Sequence, residues 1–165
     1  MAADIKRCTD FLQSLGTKDI PHTGGGFFAH LVAVYRDLRS WGYEEPVCLA
    51  GLFHSIYGTE GFRDFTLPFE RHDEVRRLIG ENAERIAFIN CVMDRTTFDG
   101  LVRDGGERRV RNRVTHEWIT MTELEFYNLC VVHLCDWLEQ VGRCQDWNYR
   151  RDVFRTMADQ LGGIP

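Results

Sequence analysis

Pro46-Val47-Cys48-Leu49-Ala50-Gly51-Leu52-Phe53-His54-Ser55-Ile56-Tyr57 is apolar on nearly every side of a helix. A helix of that kind belongs at the centre of a protein, because no face of it gains from water. Pro46 fits the first helical turn, where a missing amide proton leaves no hydrogen bond unmade. The run is too short for the roughly 20 apolar residues that cross a bilayer, so it reads as a buried core helix.

The flanking segments are built to cover it. Phe27, Leu31, Val34 and Leu38 recur at helical spacing with Arg36, Asp37 and Arg39 opposite, predicting an amphipathic helix over Phe27–Trp41 that Gly42 closes. Ile5, Cys8, Leu12 and Leu15 predict another over Asp4–Leu15, and Thr17–Gly26 reads as a loop ending in three glycines. Beyond the central segment, Gly58–Pro68 reads as a loop, and Glu70–Ile79 and Glu81–Met93 as two helices divided by Gly80. Between Arg95 and Met121 the helical period fades. Val110, Val114, Trp118 and the Asp104-Gly105-Gly106 turn suggest an irregular or β-hairpin insertion near 96–121. Thr122-x-x-Glu125 is a capping box that opens a long buried helix to about Val141. Asp146 is placed to cap a last helix over Trp147–Leu161. The expected fold is all-α, with about six to seven helices in a single domain over residues 1–165.

Composition agrees with a globular chain. Of 165 residues 44% are hydrophobic and 27% charged, which excludes a disordered or collagen-like polypeptide. A net charge of −5 supplies no positive field to gather phosphate backbones, so no nucleic-acid partner is expected. No signal-peptide or membrane-spanning stretch stands out, and no membrane association is expected. The six cysteines contain no C-x-x-C pair and mostly fall in apolar helical runs. They read as reduced, small hydrophobes, which suggests a cytoplasmic protein.

Chemistry can sit where polar residues interrupt apolar faces. His30 lies on the buried stripe of its helix, His54 on the all-apolar segment, and His133 and Asp136 three apart on the long helix. A buried aspartate without a partner costs several kcal/mol, so Asp136 needs an arginine such as Arg143 or a cation. Taken singly, each histidine is better explained by a hydrogen-bonded core position. Taken together, two or three imidazoles and a carboxylate on inward helix faces are what a divalent metal requires.

The order and spacing of these residues resemble the HD superfamily of metal-dependent phosphohydrolases. His30-Leu31-Val32-Ala33-Val34 is similar to that family's H-P-L-x-V-A helix. Ala50-Gly51-Leu52-Phe53-His54 follows it like A-x-L-L-H-D, with 24 residues from His30 to His54. Asp73–Gly80 through Ile86 looks like E-I-x-x-x-F-G-x-x-V, and Leu134-Cys135-Asp136-Trp137-Leu138 like L-A-D-R-L. The nearest pattern is the hydrolase domain of the (p)ppGpp synthetase/hydrolases, over roughly Gly26 to Gly142. The resemblance implies an HD-like helical domain with His30, His54 and Asp136 as ligands of manganese, iron or zinc. It also implies hydrolysis of a small anionic or phosphorylated molecule through activated water.

Two departures matter. Ser55 stands where the family has its ligating aspartate, which removes a charge from the site. The acidic pair that the resemblance implies would activate water falls near Gly58-Thr59, with Glu60 displaced by one or two positions. (p)ppGpp hydrolysis by the family's mechanism is therefore not expected. His22, in a glycine-rich loop eight residues before His30, and His133 are the candidates to supply missing ligation, as in histidine-richer, iron-holding HD relatives. His72, at a helix start among charged neighbours, is expected to be exposed, and His116 has no recognisable partner, so both are set aside.

The loop after His54 offers Ser55 and Glu60 as candidate catalytic groups, with Tyr57 and Arg63 as candidate substrate contacts. An ordinary packed loop with a Glu60–Arg63 ion pair explains the same residues. Arg103, Arg108, Arg109, Arg111 and Arg113 form the basic run, with Arg111 the candidate anion contact and a solvated face the alternative. The expectation is a metal-dependent hydrolase acting on a small molecule, with a homodimer allowed. The alternatives are an iron-dependent oxidative enzyme on the same scaffold, or a non-catalytic binding domain with a degenerate site.

Overall fold

In the computed structural model, which describes residues 5–144, 146 and 148–163, the chain is helical apart from two short hairpins. The helices are α1 Ile5–Ser14, α2 Phe27–Ser40, α3 Glu45–Phe53, α4 His72–Ile79, α5 Glu81–Val92, α6 Arg95–Asp104, α7 Glu123–Val141 and α8 Arg151–Gln160. The hairpins are β1 Pro21–His22 with β2 Gly25–Gly26, and β3 Arg109–Arg111 with β4 Trp118–Thr120, both antiparallel. The all-α expectation with a hairpin insertion describes this architecture.

α3 is the axis of the fold, and every residue from Val47 to Phe53 is buried. α2 packs along one side of it and α5 along another, while α7 contacts α2, α3 and α5. α2 comes close because Gly51 presents no side chain: a Cβ there would overlap Leu38 Cδ1 and lie 3.1 Å from Val34 Cγ1. α7 enters through the expected capping box. The Glu125 amide donates to Thr122 Oγ1 at 3.1 Å and the Thr122 amide to Glu125 Oε2 at 2.7 Å. Cys8, Cys48, Cys91, Cys130 and Cys135 lie in the core as small apolar residues. Among the described residues no helix is long and apolar enough to cross a membrane.

Four local expectations change. The central helix stops at Phe53 rather than Tyr57. From there Ile56 N–H donates to Phe53 O and Gly58 N–H to Ser55 O, so the chain tightens into successive turns that present His54 and Ser55 at a helix end. The segment taken as irregular begins with a helix, α6. Asp94 caps it by accepting from the Thr97 amide at 2.9 Å, and Phe98, Leu101 and Val102 form its buried face. Gly105, at φ 70°, ends α6 instead of turning a hairpin. Asp146 caps no helix: it accepts from the Asn148 amide at 3.2 Å, and α8 starts at Arg151. Asp4 and Trp147, the expected starts of two helices, lie outside the described residues.

Candidate metal centre and its cleft

Three helices each deliver one polar side chain to a common point. His30 projects from the buried stripe of α2, His54 from the C-terminal end of α3, and Asp136 from the fourth turn of α7. Their candidate ligand atoms all lie within 4.8 Å of one another, so the group could hold a metal ion. His30 Nε2 is 3.0 Å from Asp136 Oδ1, His54 Nε2 is 3.2 Å from the same oxygen, and the two Nε2 atoms are 3.2 Å apart.

The opposite ring nitrogens fix the tautomers. His30 Nδ1 lies 2.5 Å from Glu139 Oε2, and His54 Nδ1 lies 2.6 Å from Gly51 O. A carboxylate and a carbonyl can only accept, so both Nδ1 atoms carry the proton. Each ring then turns its Nε2 towards Asp136 Oδ1. Two lone pairs converging on a carboxylate repel unless a cation sits among them, either a metal ion or a shared proton.

The electrostatics fit that description. Burial pulls the His30 pKa down, but hydrogen bonds to Asp136 and Glu139 outweigh it and raise it from 6.5 to about 9. Burial pushes Asp136 up, and the His54 and His30 rings more than reverse this, holding the carboxyl well below its usual range. Glu139 is likewise opposed by burial and brought to about 2 by His30 and Arg143. Arg143 is thus the partner of Glu139, at 2.8 Å, and not of Asp136. Gln140 Nε2 donates to Asp136 Oδ1 at 2.6 Å and fixes its orientation.

The β1–β2 hairpin folds over this group. Thr23 Oγ1 donates to Gln140 Oε1 at 2.8 Å, and Arg143 Nε donates to Thr23 O at 3.1 Å, tying the hairpin loop to α7. His22 is thereby stacked on His30, with ring centroids 4.4 Å apart and planes 11° from parallel. Its Nδ1 is buried without a hydrogen-bond partner. Burial, and then the neighbouring His30, lower the His22 pKa to about 4, so the ring is neutral.

A cleft of about 840 Å³ opens beside the group, lined by His22, Ser55, Asp136 and Trp137 near one another in the fold's centre and by Arg95 and Arg150 from α6 and the α8 approach. The sequence candidates divide sharply. His22, Ser55 and His133 reach the cleft with Asp136, but His133 is already committed. Its Nδ1–H donates to Asn90 Oδ1 at 2.9 Å and its Nε2 accepts from Arg150 Nη1 at 2.9 Å, so no lone pair is left for a metal. Burial, then the Arg150 charge, keeps it neutral, with a pKa well below 6.5. His133 is therefore a core histidine in a network that also reaches His54, whose carbonyl accepts from Asn90 Nδ2 at 2.8 Å.

Glu60 is exposed and does not line the cleft; its Oε2 accepts from the Arg95 amide at the start of α6, at 2.9 Å. Tyr57 turns into the core, where its hydroxyl donates to buried Glu84 at 2.9 Å. Arg63 is exposed outside the lining. Arg111 sits on the β3 strand, with Nε donating to His116 O at 3.3 Å, away from the cleft. Ser55 apart, the loop and basic-run candidates are thus surface or core residues.

Sequence reasoning passed over Glu139, Gln140, Arg95 and Arg150. Glu139 stood three residues after Asp136 on the same helix face, a spacing that could have found it. Arg95 follows the Asp94-x-x-Thr97 cap, which was also legible. Arg150 has no local signal: it takes a left-handed conformation at φ 48° and reaches back to pair with Asp99, at 2.9 Å through Nε.

The chain belongs to the family described as a domain of unknown function, DUF6817, whose model matches residues 11–95, more than half of the sequence. The match takes in His22, His30, His54 and Arg95 and ends before Asp136. No curated protein and no solved structure matches the chain.

Proposed function

We propose that this protein is an HD-like metal-dependent hydrolase acting on a small anionic, phosphate-bearing molecule in the cleft beside His30, His54 and Asp136. The observation that carries the reading is the pair of Nε2 atoms aimed at one carboxylate, each ring held in that orientation by an acceptor on its far side. Histidine ligands of divalent metals commonly use this carboxylate or carbonyl backing, which orients the ring and strengthens it as a donor. Manganese, iron and zinc suit two imidazoles and a carboxylate. When bound, such an ion supplies Lewis acidity that makes a water molecule a nucleophile near neutral pH.

The chain's own residues do the rest. Asp136 offsets the ion's charge, Glu139 and Gly51 O keep the imidazoles in the ligating tautomer, and Gln140 keeps the carboxylate aimed. Ser55, buried at the cleft wall directly after His54, is placed to hydrogen-bond a water or a substrate oxygen. Arg95 brings positive charge to the same cleft for the substrate's anionic group.

One observation favours a second reading. The buried, unpartnered Nδ1 of His22 beside His30 is a spare imidazole nitrogen, and a site with three imidazoles suits an iron-dependent oxidative enzyme. Elemental analysis of the purified protein, with His54→Ala and Asp136→Ala beside it, tests both. About one ion per chain that both variants lose is expected. Phosphate release from phosphorylated test compounds that survives exhaustive chelation would refute the hydrolytic reading, and turnover that persists without oxygen would refute the oxidative one.

A further inference from the structure

The metal group occupies only one side of the cleft. Two arginines also line it, and their situations differ. Arg150 is already satisfied: Nε and Nη2 pair with Asp99, and Nη1 donates to His133. Its role is to brace α6 against the segment before α8. Among the described residues Arg95 has no carboxylate on its guanidinium, which instead donates through Nη1 to the Tyr149 hydroxyl at 2.5 Å. Glu60 is engaged by the Arg95 backbone amide instead.

Arg95 is also held in place by its surroundings. Its guanidinium lies across Gly61, where a Cβ would come within 2.6 Å of Nη1. Arg63 and Arg95 both add positive charge around the partly buried Arg113, whose pKa burial and then those neighbours lower. Asp64, exposed at the rim, is the acid among the cleft-lining residues on this side. A half-buried guanidinium fixed by a glycine seat and a tyrosine hydroxyl, with donors left over, is suited to recognise an oxyanion through paired N–H groups.

We infer that Arg95, seated on Gly61 and steadied by Tyr149, is an oxyanion-binding subsite of this cleft, recognising a phosphate or carboxylate group of the ligand. The inference rests on the reading of the cleft as a substrate site, though not on the metal. It makes Arg95 a specificity-determining residue: it selects ligands that carry an anionic group beyond the one at the metal group.

Titration calorimetry with pyrophosphate and, separately, malonate tests it on the full chain, as purified and again in chelator. The variants are Arg95→Gln, Gly61→Ala and His54→Ala, each checked for an unchanged circular dichroism spectrum. Gly61 has an ordinary backbone conformation, so alanine there shifts the flexible end of Arg95 and leaves the fold alone. At least one of the two probes is expected to bind in chelator, with affinity lowered 10-fold or more by Arg95→Gln and by Gly61→Ala and changed less than 3-fold by His54→Ala. The stronger probe identifies phosphate or carboxylate as the natural group. Full affinity in Arg95→Gln, an equal loss in His54→Ala, or no binding of either probe at millimolar concentration would overturn the assignment. Arg95-dependent binding by a protein that takes up no metal would remove the hydrolase reading and leave this one standing.

Discussion

Replacing Gly51 with alanine tests the packing that brings the two histidines together. Two terms oppose each other. Alanine is the better helix former by about 0.8–1 kcal/mol, which would stabilise α3. Against this, the new methyl overlaps Leu38 Cδ1 and lies 3.1 Å from Val34 Cγ1, and both side chains are wholly buried with no open space to swing into. Overpacking costs about 1–3 kcal/mol, and outright overlap with a fully buried side chain puts it at the upper end, about 2–3 kcal/mol. The sum is a destabilisation of roughly 1–2 kcal/mol, or roughly 2–8 °C in Tm for a chain of this size. Because His30 and His54 ride on the two helices forced apart, metal affinity should fall as well. Urea and thermal denaturation measure the first effect, and metal titration the second. A partner substitution sharpens the test. In a Leu38→Ala background the overlapping atom is gone, so Gly51→Ala should become neutral or stabilising by about 1 kcal/mol. A Gly51→Ala protein as stable as the parent, or the same loss in both backgrounds, would refute the close approach of α2 and α3.

Other perturbations follow from individual contacts. Glu139→Gln removes the carboxylate behind His30 and is expected to weaken metal binding about 10–100-fold, read by competition with a chromophoric chelator. His133 is held neutral in the fold, so below its unfolded pKa of 6.5 the unfolded chain takes up a proton that the folded chain refuses. Its stabilising contribution is complete above that pH and falls by about 1.4 kcal/mol per unit of further acidification. Denaturation midpoints measured from pH 7 to 5 should therefore fall more steeply for the parent than for His133→Gln; parallel profiles would contradict the assignment. Tyr57→Phe should destabilise the protein by roughly 1.5–3 kcal/mol, through the lost hydrogen bond to buried Glu84, and leave pyrophosphate affinity unchanged. Thr122→Ala should cost about 1 kcal/mol in a urea titration by removing half of the box that starts α7.

Features whose signal is local were legible in the amino-acid order alone. Helical spacing of apolar residues gave α2, α4, α5 and α7, the uniformly apolar run marked α3 as the axis, and Thr122 with Glu125 announced the start of α7 within a residue. That order also singled out His30, His54 and Asp136, because a charge or imidazole on a buried face demands a partner wherever the face packs. α6 was missed although Asp94 and Thr97 form a legible cap, since its short apolar face is followed at once by charged and glycine residues that mask the period. Which polar residues meet depends on how distant elements pack. His133 and Asp136 share a helix face, yet one is saturated by Asn90 and Arg150 while the other joins His30 and His54. Glu60, Tyr57 and Arg63 are neighbours of His54 in the chain but point to the surface or the core, and Arg95 and Arg150 come to the cleft from far along the chain. Helix and cap signals act within four residues, whereas the direction of a side chain after a tight turn, and the partner that waits there, depend on elements dozens of residues away.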